Sequence, residues 1–314
     1  MNLFIAFLRL VRVLNLFFIV LTQALFYYCV IPFAFREVPE YPLLLTEKLF
    51  WLLSLASVLI AAAGYVINDY FDVNIDQINK PEKLVVNKII NRRWTILWHW
   101  AFSFAGVLIS FYVSWKVNNW LIGFVNLGCV LVLLLYSTSF KKRLLIGNLI
   151  IAILTSWVVI VLLVVEWRPI TINNPQLIEA MNRLFKLGIL YGSFAFIISL
   201  VREVVKDIED MQGDARYNCK TMPIVWGVNV AKMFSGVWLI VLTAAIIIVQ
   251  FYILPFRWWW NILYSVLLVI IPLLWILVKL YTAVSKNDYH RLSNAIKFVM
   301  LTGILTMVFF KFYS

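Results

Sequence analysis

The sequence predicts an all-α, multi-span transmembrane bundle of about nine helices, and three observations carry that prediction. The chain is 64% hydrophobic and only 13% charged, whereas soluble domains are about half apolar and a quarter charged. Apolar runs of about twenty residues, the length that crosses a bilayer core, recur from end to end. Lys and Arg collect in every second connection, as they do in cytoplasmic loops of membrane proteins. Nine spans use up most of the 314 residues. Residues 1–314 are therefore read as one integral-membrane domain.

In order, the apolar runs predict helices over 13–34, 49–68, 94–114, 119–138, 144–165, 183–201, 231–254, 258–281 and 292–312. Arg9 and Arg12 precede the first run, and no small-residue cleavage site follows it, so it reads as a retained helix. Taking the N-terminus and the connections after helices 2, 4, 6 and 8 as one side collects about 19 of the 27 Lys and Arg there. That side is predicted to be cytoplasmic, in a multi-pass protein of the inner membrane if the source is bacterial. Trp94, Trp98, Trp100, Trp120, Trp167 and Trp258-Trp259-Trp260 fall near helix ends and read as interfacial anchors. Cys29, Cys129 and Cys219 are scattered, with no metal spacing and no arguable disulfide. His99 and His290 read as isolated. Gly64, one turn before Asn68, suggests either close helix packing or a bend. Asn15, Gln23, Asn126 and Asn148 lie inside apolar runs, where amides usually bond across helices.

Helices 2 and 6 both run into acidic stretches. Asp69, Asp72 and Asp76 have the spacing Asp-x-x-Asp-x-x-x-Asp, and Asp207, Asp210 and Asp214 repeat it. Six of the seven aspartates lie in these two stretches. Basic connections follow helices 4 and 8. The pattern suggests two pseudo-repeated four-helix halves plus a ninth helix, with a site between the halves.

If the helices continue through the stretches, positions i, i+3 and i+7 share a face. Aligned carboxylates repel one another, unless a hard cation uses them as ligands. Mg2+ is usually held by one or two carboxylates together with substrate phosphates. Two facing rows therefore suggest Mg2+ ions bridging to a diphosphate and stabilising its departure. Lys80, Lys83, Arg202 and Lys206 flank the rows, and Lys141-Lys142-Arg143 lie in a third connection on the same side. A calcium loop is excluded, because Gln77 and Lys83 stand where Gly and Glu are needed. The net charge of +12 is the positive-inside signal of a membrane protein rather than a sign of nucleic-acid binding. An ion-coupled transporter is the competing class, but its site would lie near the midplane, not at one end beside basic connections.

These residues resemble the signatures of the UbiA superfamily of intramembrane prenyltransferases. Asn68-Asp69-x-x-Asp72-x-x-x-Asp76 with Lys80-Pro81 is similar to the first signature. Arg202-Glu203-x-x-Lys206-Asp207-x-x-Asp210-x-x-Gly213-Asp214 with Thr221-Met222-Pro223 is similar to the second. Arg12-x-x-Asn15, Tyr136-Ser137 and Gly147-Asn148 match in order. The resemblance implies a helical bundle whose central cavity is capped by two motif loops. It implies Mg2+-dependent transfer from a polyprenyl diphosphate to a lipophilic acceptor within the membrane lipid. Asn68, Asp69, Asp72 and Asp76 would hold one Mg2+, and Asp207, Asp210 and Asp214 the other. Asp72, Asp76, Asp210 and Asp214 would be central to catalysis. Lys80, Lys83, Lys141, Arg202 and Lys206 would bind diphosphate oxygens, and Asn15, Tyr136 and Asn148 would complete the substrate site. The wording of both signatures most resembles the branch that makes digeranylgeranylglyceryl phosphate. Leu84 and Asn218 depart from that branch, in segments expected to shape the acceptor site. An aromatic acceptor is the alternative.

Overall fold

Nine helices long and apolar enough to cross a membrane run through the described residues, 2–82, 84–167 and 174–313, of the computed structural model. They are α1 (Val13–Ala34), α2 (Glu47–Asn79), α3 (Arg92–Lys116), α4 (Leu121–Thr138), α5 (Ile146–Glu166), α6 (Pro175–Arg216), α7 (Val228–Phe256), α8 (Trp259–Thr282) and α9 (Lys286–Phe312). A short helix, Leu3–Leu10, precedes them. The chain is an integral membrane protein.

The apolar runs placed every span, but they stopped short on the two that matter most. α2 does not end at residue 68, nor α6 at 201. They run on to Asn79 and Arg216, straight through the aspartate stretches, with full lengths of 33 and 42 residues. The motifs are therefore helical and not loops. Hydropathy falls where charge begins, but the backbone stays helical, and the charged side chains find partners elsewhere in the chain. Corresponding places in the two halves thus hold the two longest helices.

Local chemistry sets several starts. Asn174 caps α6, accepting from the backbone of Gln176 and Leu177, with Pro175 in the first turn. Ser285 and Asp288 form a capping box at α9, which accounts for the seventh aspartate. Pro32 and Pro272 each follow a π-helical turn, Phe26–Val30 and Val266–Ile270. Arg12 sits in the left-handed region at φ 52°, between the short helix and α1.

Lipid gives apolar side chains no hydrophobic reason to leave it, so packing and small residues bring the helices together. Phe26, Phe50, Leu53, Leu162 and Leu184 pack at the end away from the motifs. There the buried Glu166 carboxylate accepts from the backbone amides of Leu44 (3.2 Å) and Leu45 (2.8 Å). Ile198, Val201, Leu239, Leu273 and Ile296 form a second cluster, so α6 takes part in both. Gly64 serves close packing: a Cβ there would meet the Leu133 side chain of α4 at 2.9 Å, and α2 runs on unbroken. Gln23 donates to Ser57 and to the Val158 carbonyl, both at 3.1 Å. Asn126 donates to Ser110 at 2.9 Å, so both amides do bond across helices. The three cysteines are free and buried.

Candidate active site

A cavity of about 1140 Å³ opens among α1, α2, α4, α5, α6 and α9. It exceeds the usual range of single-ligand pockets, about 300–1,000 Å³, so it has room for two substrates. All six motif aspartates line it, as do Arg12, Asn15, Asn68, Lys80, Tyr136, Lys141, Arg202 and Lys206. On α6 it reaches from Asp214 to Tyr191, about 34 Å at the helical rise. Beyond the polar end the wall turns apolar, with Ile60, Leu133, Leu154, Val158, Ile304 and Met307. Phe18, Tyr65, Tyr136, Trp157, Tyr191 and Phe194 are its aromatic lining. Two of these have their polar ends satisfied: Trp157 Nε1 donates to Asn126 at 2.9 Å, and the Tyr191 hydroxyl lies 2.8 Å from that of Thr306.

The first row is held by cations from elsewhere in the chain. Arg12 Nη2 donates to Asp69 at 2.7 Å. Lys141 Nζ pairs with Asp72, whose other oxygen accepts from Asn68 Nδ2 at 2.8 Å. The second row is held differently. Asn148 Nδ2 donates to Asp207 at 2.8 Å, and Lys80 Nζ donates to Asp210 at 2.5 Å. Burial works against the Lys80 ammonium, but the neighbouring Asp210 carboxylate outweighs it and raises the Lys80 pKa. Asp69 does the same for the part-exposed Arg12 guanidinium.

A direct link sets the spacing of the rows. Asn79, the last residue of α2, accepts at Oδ1 from the Gly213 amide of α6, 2.9 Å away. A Cβ at Gly213 would collide with that same Asn79 amide. Lys286 Nζ donates to the Asn79 carbonyl at 2.8 Å and ties in the start of α9.

Most of the predicted residues thus come together, with three qualifications. Lys83 lies outside the described residues. Asn148 stands behind Asp207 rather than on the cavity wall. Arg202 and Lys206 bond to Glu203, at 2.9 and 3.1 Å, and not to an aspartate. His290 is not isolated: its Nδ1 lies 2.9 Å from Glu209, and both line the cavity. Sequence reasoning missed this pair, and Asn79, because their partners are 81 and 134 residues away.

Among the described residues, no three His, Cys, Asp or Glu groups converge closely enough to hold a metal alone. The donor set still suits Mg2+, which takes oxygen ligands and keeps water and phosphate in its shell. Asp210 Oδ1 and Asn68 Oδ1 are buried without a hydrogen-bond partner. A hard cation would satisfy such orphaned oxygens.

The sequence model of the UbiA prenyltransferase family matches residues 24–301. A digeranylgeranylglyceryl phosphate synthase of Methanosphaera stadtmanae is 28% identical over 256 residues, covering 81% of this chain and 84% of the relative. That of Saccharolobus solfataricus is 30% identical over 258 residues, 80% of each chain. Solved structures share the fold. One described as digeranylgeranylglyceryl phosphate synthase in membranes superposes with a TM-score of 0.60 at 22% identity, over 98% of this chain and 99% of the other. A UbiA homologue from Archaeoglobus fulgidus bound to GPP and Mg2+ gives 0.56 at 15% identity, over 96% and 99%. With 278 of its residues inside the family's span and both aspartate rows facing one intramembrane cavity, the chain belongs to the UbiA prenyltransferase family.

Proposed function

We propose that the protein transfers a geranylgeranyl chain from its diphosphate to a glycerol-phosphate ether lipid in the membrane. The observation that carries this is the two-part cavity: two rows of carboxylates with Lys80 and Lys141 at one end, and a long apolar wall beyond. The names of the relatives support the glycerol-phosphate acceptor. The charge of the connections supports a cytoplasmic N-terminus and motif end.

Asn68, Asp69, Asp72 and Asp76 would hold one Mg2+, and Asp207, Asp210 and Asp214 the other. When bound, Mg2+ neutralises the diphosphate and stabilises it as a leaving group. Lys80 and Lys141, which pair with Asp210 and Asp72, would bind diphosphate oxygens beside the metal. Asn148 orients Asp207. The apolar wall receives the prenyl chain and excludes water from the electron-deficient allylic carbon. Aromatic side chains of the lining, such as Tyr136, would stabilise positive charge through their ring faces.

The test is transfer of labelled geranylgeranyl diphosphate by purified protein with Mg2+, offered glycerol-phosphate and aromatic acceptors. Transfer to the glycerol-phosphate acceptor is expected. Transfer to aromatic acceptors alone would overturn the acceptor, and metal-coupled flux in vesicles with no transfer would overturn the enzyme reading.

A further inference from the structure

α9 carries a polar stripe into the cavity. His290, Ser293, Asn294 and Lys297 recur there at helical spacing. Deeper on the same side the lining is Met300, Ile304 and Met307. Lys297 lies eleven residues into a helix that starts at Lys286, about 16 Å along its axis. An ionisable group that deep in a membrane helix is costly, and it marks function more often than structure.

Three contacts fix the register of α9 against α6, which runs antiparallel to it. His290 meets Glu209, Gly303 packs on Phe194, and Thr306 meets Tyr191. Interpolation sets Lys297 level with residues 200–202, of which Arg202 lines the cavity. Lys206 lies one turn nearer the motif end and also lines it. Arg202 and Lys206 both bond to one carboxylate, Glu203, and Arg202 Nε is buried with no hydrogen-bond partner. Arg202 is five residues deeper than Asp207, about 7.5 Å along α6. A basic wall therefore runs from Lys206, next to Asp207, down to Arg202 and Lys297 beneath the second aspartate row.

We propose that Arg202, Lys206 and Lys297, with Ser293 and Asn294, form a second anion site that holds the phosphomonoester of the acceptor lipid. This rests on the glycerol-phosphate reading above. The reaction has to bring two highly charged groups into one cavity, and like charges repel strongly where water is scarce. Separate seats solve the problem: the aspartate rows with metal take the diphosphate, and the basic wall takes the phosphate. The short glycerol backbone then spans from the wall toward the reacting carbon. In the transfer, the acceptor oxygen forms the new C–O bond, the allylic C–O bond to diphosphate breaks with its electron pair leaving on the diphosphate, and the hydroxyl proton passes to an oxygen of the departing diphosphate. Lysine's long stem suits such a seat, because it packs along apolar wall while its ammonium reaches upward.

The test compares geranylgeranylglyceryl phosphate with its dephosphorylated alcohol as acceptors, in full-length protein with Mg2+ and geranylgeranyl diphosphate. Loss of charge-assisted hydrogen bonds predicts that Lys297→Met raises the KM for the phosphorylated acceptor about 10- to 100-fold. The donor KM should stay within about twofold and use of the alcohol should be unchanged. Lys297→Arg should restore most of the loss, and Asn294→Leu should give a smaller rise of the same kind; these two variants carry the test if Lys297→Met fails to fold. A rise in donor KM instead, equal losses for both acceptors, or no change in acceptor KM would overturn the site while leaving the transferase reading intact. Wild-type protein that uses neither glycerol lipid, but an aromatic acceptor, would overturn both.

Discussion

The two aspartate rows have the same spacing but not the same surroundings. Asp69 and Asp72 each face a cation, Arg12 and Lys141. In the second row, Asp207 is held by the neutral amide of Asn148, and Asp210 keeps one oxygen bare beside Lys80. Two aspartates of the first row are thus ion-paired and one of the second, Asp210, so the second row leaves more charge for an incoming cation. The tie between them is also asymmetric. Lys80 extends from the end of the first row's helix to Asp210, so the second row is built partly by the first half of the chain.

The largest effect that would break this comparison is on activity. Asp72→Ala and Asp210→Ala should each lower transfer about 10³-fold or more, as should chelation of Mg2+, with the variants still eluting as folded protein. Retained activity in both variants would sink the metal assignment. Next comes a difference of sign in stability. Asp72→Asn leaves the Lys141 ammonium without its carboxylate, in a pair whose side chains are only 10% and 13% exposed. Removing one partner of such a pair should destabilise the metal-free protein by about 3 kcal/mol. Asp207→Asn orphans no cation and relieves like-charge repulsion, so it should leave metal-free stability equal or higher while activity falls. Thermal unfolding with and without Mg2+ separates the two, and equal losses of stability would show the rows to be alike.

The spacing between the rows gives a smaller effect. Gly213→Ala should push Asn79 aside and cost about tenfold in kcat/KM, since misplacing groups by about an ångström is expensive in an active site. Steady-state kinetics beside an unchanged helical spectrum would check it. Smallest should be Arg12→Gln. Its side chain is 35% exposed, and a part-exposed ion pair is worth about 1 kcal/mol or less. A few-fold rise in donor KM is the expected reading.

Much of this site was legible along the chain. Asp69 to Asp76 and Asp207 to Asp214 announced themselves by spacing, Lys80 by its position beside them, Lys141 by its basic connection on the same side, and Arg12 and Tyr136 by the family resemblance. His290 and Asn79 did not, because what distinguishes them is a partner on another helix. Lys297 was visible as a charge, yet it counted only toward the basic side until the register of α9 against α6 placed it on the cavity wall.

By itself the sequence determined the nine spans, the side on which cations gather, and the two carboxylate rows. These are properties of local composition and period, which lipid reads directly. Only the tertiary structure decided that α2 and α6 run helically through their motifs, which cation or amide meets each aspartate, and that one cavity collects both rows with Arg202, Lys206 and Lys297. Those outcomes depend on contacts between residues far apart in the chain. Hydropathy cannot register them, because the partners of these charged side chains lie far away in the sequence.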